Sequence, residues 1–434
     1  MHKTDHFFGK STWANRASKV LVLLFLIGCG TTKNRIQKHV ATTIDSPFFK
    51  NQFTGLLVID PITKDTLIDR NGARYFTPAS NTKIFTLYAA LQLLPDQIPA
   101  LKSILKNDTL FIEGTGDPTL LHPHFNDSTT IEFLKGYKNI ALYLNNFHEQ
   151  KYGPGWSWDD YPYYYQPERA AFPLYGNVAT IFGGDSTQVL PEHFKKNVVD
   201  LDLPKNREAE KNIFYYAASR RDTTEIPYRI DSTLTRILLE KALNKKVTVV
   251  NKIPKGEKSI VYGMSTDSVL KRMMHQSDNF LAEQLMLLST STLTDTLNFA
   301  KARDHILENQ LVDLRHPPRW VDGSGLSRYN LFTPQSMVHV LQKLYGEIPR
   351  ERLFHFFPAG GVSGTLEDWY PGNHEPYIFA KTGSLGNNHC LSGYLITKSG
   401  KTLIFSFMNN HFRNPSSEVK KRMQAILETI RDSY

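Results

Sequence analysis

The stretch Pro78-Ala79-Ser80-Asn81-Thr82-Lys83 constrains this chain more than any other. Proline has no backbone N–H to donate, so Pro78 suits a helix entrance. Ile84, Leu87, Tyr88 and Leu91 follow at helical spacing. One turn of such a helix sets Ser80 and Lys83 side by side. A serine hydroxyl is a poor nucleophile until a base takes its proton. An amine can do so once desolvation or a positive neighbour lowers its pKa. A helix start also offers free backbone N–H groups to an oxyanion. Taken alone, the pattern reads more simply as a capped helix with a solvated lysine, and the rest of the chain has to decide.

Strands are predicted from Phe53 to Asp60, stopped by Pro61, and from Asp65 to Asp69, together a hairpin feeding the Ser80 helix. Beyond Pro95 the pattern is mixed, with a strand at Thr109 to Glu113. A Tyr- and Pro-rich tract with short strands then runs to about Ile226. Helices are expected at Ser232–Lys245, Ser265–Leu288, Ser336–Tyr345 and Ser417–Arg431, and strands at Ile378–Lys381, Leu391–Thr397 and Thr402–Met408. First and last segments then share one sheet. The expectation is an α/β (α+β) architecture with an inserted, mostly-β region at residues 106–225, between catalytic parts at 43–105 and 226–434. The 434 residues suffice for two or three domains.

The N-terminus reads as a targeting segment. Lys3, Lys10, Arg16 and Lys19 precede the apolar run Val20 to Ile27, which is too short for a comfortable transmembrane helix. It ends Leu26-Ile27-Gly28-Cys29, which resembles a bacterial lipobox. Residues 1–28 are expected to be a signal peptide, Cys29 to carry lipid, and 29–42 to be a polar tether that holds the protein to a membrane in the cell envelope, facing the periplasm. The other cysteine, Cys390, reads as a small buried residue, and no disulfide is available. The net charge is +9, yet no Lys/Arg block interleaves with aromatics, so nucleic acid is not an expected partner.

Two further tripeptides bear on Ser80 and Lys83. Ser277-Asp278-Asn279 lies inside the long helical region, where Ser277 and Asn279 can both face a cleft. Lys381-Thr382-Gly383 continues into Ser384 on a strand, where the glycine lets a substrate backbone approach. Each is weak alone; the three in this order, each on a suitable element, are not. The chain resembles the serine penicillin-recognising superfamily of DD-peptidases and β-lactamases. More closely it is similar to class C low-molecular-mass penicillin-binding proteins, the D-alanyl-D-alanine carboxypeptidases and endopeptidases. That likeness rests on the Ser80 stretch, on Gly114 to Pro118 (with Thr115 a departure), on Gly155 to Asp160, on Asp322 to Arg328, and on Pro358 to Leu366, where Ser363 stands at a commonly acidic position.

The resemblance implies a DD-peptidase/β-lactamase-like fold, an antiparallel sheet flanked by helices. It implies that Ser80 attacks the bond between two D-alanines of a peptidoglycan stem peptide, with Lys83 as base. Ser277 would relay a proton to the leaving amine, and Asn279 would orient Lys83 and the substrate amide. Lys381 would supply positive charge, Thr382 would bind the terminal carboxylate, and the N–H groups of Ser80 and Ser384 would form an oxyanion hole beside Gly383. Asp322, Ser324 and Arg328 stand either as supports of the site or as parts of a Gly-rich turn. β-Lactams are implied as covalent inhibitors, and no cofactor or metal is expected. His148-Glu149 begins a His-Glu-x-x-His pattern, but position 152 is Tyr, and His122 and His124 flank Pro123 without an evident third ligand. A β-lactamase is the enzymatic alternative. No Glu-x-x-x-Asn-type loop of a class A enzyme is evident, and Ser277-Asp278-Asn279 stands where a class C β-lactamase carries Tyr-x-Asn. A cell-wall-binding lipoprotein without catalysis is the non-enzymatic alternative.

Overall fold

The computed structural model describes residues 33–184 and 186–434. The expected signal segment and Cys29 lie outside the described residues. Residues 33–44, expected as part of a polar tether, form a helix, α1. Ile36, Val40 and Ile44 recur every four residues along it and are buried, so one face is committed to the core.

Next come β1 (Phe53–Ile59) and β2 (Thr66–Arg70), then a 3-10 turn at Ala79–Thr82 leading into α2 (Lys83–Leu93). β3 (Gln97–Lys106), β4 (Thr109–Gly114), α3 (Thr129–Lys135) and β5 (Asn139–Tyr143) follow. Five short strands come after these: β6 (Val178–Phe182), β7 (Gln188–Leu190), β8 (Val198–Val199), β9 (Phe214–Tyr215) and β10 (Thr223–Pro227). Then come α4 (Ser232–Leu243), β11 (Val247–Val250), β12 (Ser259–Ser265), α5 (Thr266–His275), α6 (Asn279–Leu293) and α7 (Phe299–His305). The chain closes with α8 (Pro334–Glu347), α9 (Arg350–Phe356), β13 (Ile378–Leu385), β14 (Asn388–Ile396), β15 (Thr402–Asn410) and α10 (Ser416–Ser433).

The first sheet has the order β13-β14-β15-β1-β2 and is antiparallel throughout. The two ends of the chain therefore meet at its centre, where Ile59 lies opposite Ile404. Both faces are covered, and β1 alternates between them. Leu57 and Ile59 join the core with α2, α5, α6, α8 and α9. Leu56 and Val58 face α1 and α10. Helix α6 is buried on nearly all sides, with Phe280 to Ser291 out of solvent, as befits a central helix that is apolar almost all round.

A second sheet, β11-β5-β4-β3-β12, carries its own core with α3 and α4. Its β4–β5 and β5–β11 pairs are parallel, which requires crossovers, here α3 between β4 and β5 and α4 before β11. A three-stranded sheet, β10-β6-β7, and a two-stranded one, β8-β9, complete this half. The expected inserted interval 106–225 differs from this layout at both edges. The second sheet begins at Gln97 and takes in β11 and β12, and helices lie within it. Pro99 in β3 and the half-exposed face of β12 blur the alternation that would have marked both strands.

Candidate active site

The helix expected to begin at Pro78 starts later. Ser80 sits on the 3-10 turn, and Lys83 is the first residue of α2. Ala79 holds a left-handed φ of +48°, a conformation unusual for a residue with a Cβ. This sharp entry still leaves one turn between the two side chains, and Lys83 Nζ donates to Ser80 Oγ at 3.0 Å.

Lys83 is fully buried. Its ammonium also donates to Asn279 Oδ1 at 2.6 Å and to the Ser324 carbonyl at 2.7 Å. Burial lowers its pKa to about 8 against the raising influence of Asp322, Asp278 and Glu283. A lysine there can lose its proton near neutral pH, which a solvated lysine cannot.

The long helical region expected from Ser265 to Leu288 is two helices, broken between His275 and Asn279. Ser277 occupies the break with φ +55°. Asp278 caps α6 by accepting from the Leu281 N–H. The break turns Ser277 Oγ toward Lys381, whose Nζ donates to it at 2.9 Å and to the Thr382 carbonyl at 2.9 Å. Burial, and then the charge of Lys83, hold the Lys381 pKa well below its ordinary value. Asn279 presents Oδ1 to Lys83 while its Nδ2 donates to the Tyr165 carbonyl at 3.0 Å.

Lys381, Thr382, Gly383 and Ser384 lie on β13. The reason for glycine at 383 differs from the expected one. A Cβ there would stand 2.3 Å from the Pro78 carbonyl and 2.8 Å from the Asn81 nitrogen. The glycine lets β13 lie against the turn that carries Ser80, and Asn81 Nδ2 ties the two by donating to the Lys381 carbonyl at 2.8 Å. The Thr382 hydroxyl donates to Thr365 Oγ1 at 2.8 Å, and Ser384 Oγ pairs with His389 Nδ1 at 2.8 Å.

Asp322 is fully buried. Its carboxylate accepts from the N–H groups of Gly325 and Ser327, from Asn330 Nδ2 and from Trp156 Nε1. It shapes the loop and does not reach Ser80. Within that loop Ser324 offers its carbonyl to Lys83, and Gly325, at φ +86°, passes so close that a Cβ would lie 1.9 Å from the Ala79 carbonyl. Arg328 is exposed and lines the cleft.

Ser80, Ser277, Asn279, Ser384 and Arg328 open on one cleft of about 1430 Å³, which Asp160, Tyr164 and Glu225, from the stretch between β5 and α4, also line. Three contributors escaped the sequence reading. Thr365 falls in a block already singled out. Glu283 lies one turn after Asn279 on the same helix face, a spacing that signals proximity. The Tyr165 carbonyl leaves no signal, since backbone atoms carry no residue identity. Cys390 is buried, with its thiol pushed up to about 12.

The D-Ala-D-Ala carboxypeptidase 3 (S13) family model matches residues 36–218 and 229–431. The D-alanyl-D-alanine carboxypeptidase DacB of Haemophilus influenzae is 24% identical over 419 residues, covering 85% of this chain and 87% of that protein. A D-alanyl-D-alanine carboxypeptidase of Actinomadura sp. is 24% identical over 452 residues, covering 89% and 83%. The crystal structure of penicillin binding protein 4 (dacB) from Haemophilus influenzae superposes with a TM-score of 0.67 at 23% identity, covering 88% of this chain and 95% of that one. The chain belongs to the D-Ala-D-Ala carboxypeptidase 3 (S13) family.

Proposed function

We propose that the chain cleaves D-alanyl-D-alanine peptide bonds of peptidoglycan stem peptides, as carboxypeptidase and endopeptidase, through an acyl-enzyme on Ser80, and that β-lactams acylate the same serine. The observation that carries this reading is the buried Lys83 amine, 3.0 Å from Ser80 Oγ with its pKa lowered to about 8. Neutral Lys83 takes the hydroxyl proton as Oγ bonds to the carbonyl carbon. The oxyanion that forms is met by the N–H groups of Ser80 and Ser384, and such a donor contributes about 10²–10³ in rate. As the C–N bond breaks, Ser277 relays to the departing amine the proton that Lys83 took from Ser80, which leaves Lys83 neutral again. Asn279 fixes the direction of the Lys83 amine. Burial disfavours the charge on Lys381, and the substrate's terminal carboxylate favours it, so that Lys381 binds that carboxylate with a proton taken from solvent, while Thr382 with Thr365 turns a hydroxyl toward it. Arg328 serves the substrate from the cleft wall, and Asp322 serves it indirectly by holding Ser324. A water then attacks the ester carbon, giving its proton to Lys83, which returns it to Ser80 Oγ as the C–O bond breaks.

Export and anchoring belong to the same reading. The basic segment and apolar run ending at Cys29 support a lipid on that cysteine and a periplasm-facing location. Among the described residues no helix is long and apolar enough to cross a membrane. Residues 97–265 are taken as a unit inserted into the catalytic one, supported by their absence from the first sheet.

Digestion of purified peptidoglycan, with mass spectrometry of the released muropeptides, tests the activity. Loss of terminal D-alanine or cleavage of crosslinks is expected, and Ser80→Ala should abolish either. Intact-protein mass spectrometry after penicillin should show a stable adduct on Ser80, because the sequence shows no Glu-x-x-x-Asn-type loop of the kind that activates a hydrolytic water in a class A β-lactamase. Rapid multiple-turnover hydrolysis of penicillin, without adduct or D-alanine release, would establish a β-lactamase instead. Cys29→Ala should release the protein from membrane fractions or block its processing. Wild-type protein that is wholly soluble, with Cys29 unmodified, would overturn the anchor.

A further inference from the structure

Behind the catalytic lysine lies a buried chain of charge that no step above uses. Glu283 is fully buried on α6, one turn beyond Asn279. Its Oε1 accepts from the Ser324 N–H at 2.8 Å, and the carbonyl of that same residue accepts from Lys83 Nζ at 2.7 Å. Its Oε2 lies 3.4 Å from Nη1 of Arg169, itself buried and belonging to the second unit. Arg169 is held there by the Gln150 and Tyr152 carbonyls and by Glu149. The next residue of α6 reinforces the junction. Gln284 donates to the Gly116 and Ala170 carbonyls and accepts from the Ala170 N–H. Two adjacent side chains of one catalytic helix are thus spent on docking the second unit, and one of them also reaches the loop that holds the base.

We propose that Arg169 and Glu283 form a positioning pair through which the second unit sets the placement of the Lys83 amine and the electrostatic field around it. The inference rests on the peptidase reading of Ser80 and Lys83. Glu283 touches neither Ser80 nor substrate; it acts by orienting the Ser324 peptide and by placing negative charge near Lys83. The charged groups that share this interior are Asp322 on the loop, Asp278 at the start of α6, Lys83 on α2, Lys381 on β13, and Arg169 with Glu149 from the second unit. Asp278, Asp322 and Glu283 all raise the Lys83 pKa. Burial, and then Asp322, push the Glu283 carboxyl up to about 7, while Arg169 and the bonds to Ser324 lower it. The arginine, 3.4 Å from the carboxylate, therefore favours the negative charge that faces the base.

The test is the pH profile of Ser80 acylation by a fluorescent penicillin, with thermal unfolding followed alongside. Acylation requires neutral Lys83, so the profile rises with pH through an acid limb. Glu283→Gln keeps an acceptor for the Ser324 N–H and removes the charge. The limb should move to lower pH by about 0.5–1 unit, the scale of one lost charge interaction. On the limb this raises the rate relative to the plateau by about three- to tenfold. Arg169→Lys keeps the charge and should leave the limb in place. Arg169→Met favours protonated Glu283 and should move the limb in the same direction, with no further shift in the double variant. Arg169→Met also serves alone if Glu283→Gln does not fold. A limb unmoved in an acylated Glu283→Gln or Arg169→Met protein, or shifts that add in the double variant, would overturn the positioning role while leaving the peptidase reading intact. Wild-type protein that is never acylated on Ser80 would overturn both.

Discussion

Lys83 is useful because it is in the wrong place for a lysine. Full burial disfavours its charged form, and the surrounding carboxylates stop the pKa from falling further than about 8. The sign follows directly. Below that value the amine is protonated and cannot accept the Ser80 proton; above it the amine is free to do so. Acylation by a β-lactam should therefore climb about tenfold per pH unit below the limb and level off above about 8. His122 and His389, both driven down to about 3 by burial, stay neutral throughout and contribute no limb of their own. Lys83→Ala should suppress adduct and peptidase activity together, with rates read by penicillin labelling and D-alanine release; retention of either would remove Lys83 as the base. The sequence made Ser80, Lys83, Ser277, Asn279 and Lys381 visible because each sits in a short string whose spacing is itself informative. Glu283 and Tyr165 were not visible as partners, since their contacts join stretches separated by 41 and 114 residues. Nor do side-chain strings report backbone conformation, and so the left-handed turns at Ala79 and Ser277 emerged only with the fold.

Among the elements, the tightest joints are between pieces of backbone. The 322–328 loop, β13 and the Ser80 turn meet at Gly325 and Gly383, where no side chain fits. Gly325→Ala combines a Cβ 1.9 Å from the Ala79 carbonyl with an unfavourable φ of +86°. It should destabilise the protein by about 2–4 kcal/mol and depress acylation more than the lost stability explains. Thermal unfolding and penicillin labelling check this, and unchanged acylation would mean that the loop does not position the serine. The hairpin, α4, α8, α10 and the last three strands were legible because their apolar periods are clean and their ends carry Pro, Asp or Thr stops. The helix at 33–44 was read as tether because its three buried residues are spread among Lys, Arg, His and Gln, so composition masked the period.

Across the whole molecule, the first sheet was foreseeable because both chain ends carry strand patterns with nowhere else to pair. The extent of the second sheet was not, because β11 gains its order from β5, and β12 from β3, across more than a hundred residues. An ion network that runs from buried Glu113 to exposed Asp295 also ties the second sheet to the end of α6. Lys258 reaches Glu113 at 2.6 Å and Asp295 at 2.8 Å, and Lys102 reaches Asp295 at 2.8 Å. Glu113 is almost wholly buried, so Lys258→Met strands its charge and should destabilise by about 3–5 kcal/mol. Adding Glu113→Gln should recover much of that loss. Denaturant unfolding of the two single variants and the double variant measures the coupling, and strictly additive effects would deny it.

Helix α1 bears on how such a protein is moored. Ile36, Val40 and Ile44 are sealed against the back of the first sheet, so the chain is committed to the core by Ile36. If Cys29 holds the lipid, Ile36 follows it by only seven residues, so the anchor and the core lie at most about 25 Å apart along the chain. The enzyme would then stand on its membrane as a post rather than swing as a tethered float. Its working height above the lipid would be fixed by its own girth, and only the layer of wall polymer passing at that height would come within reach of the cleft.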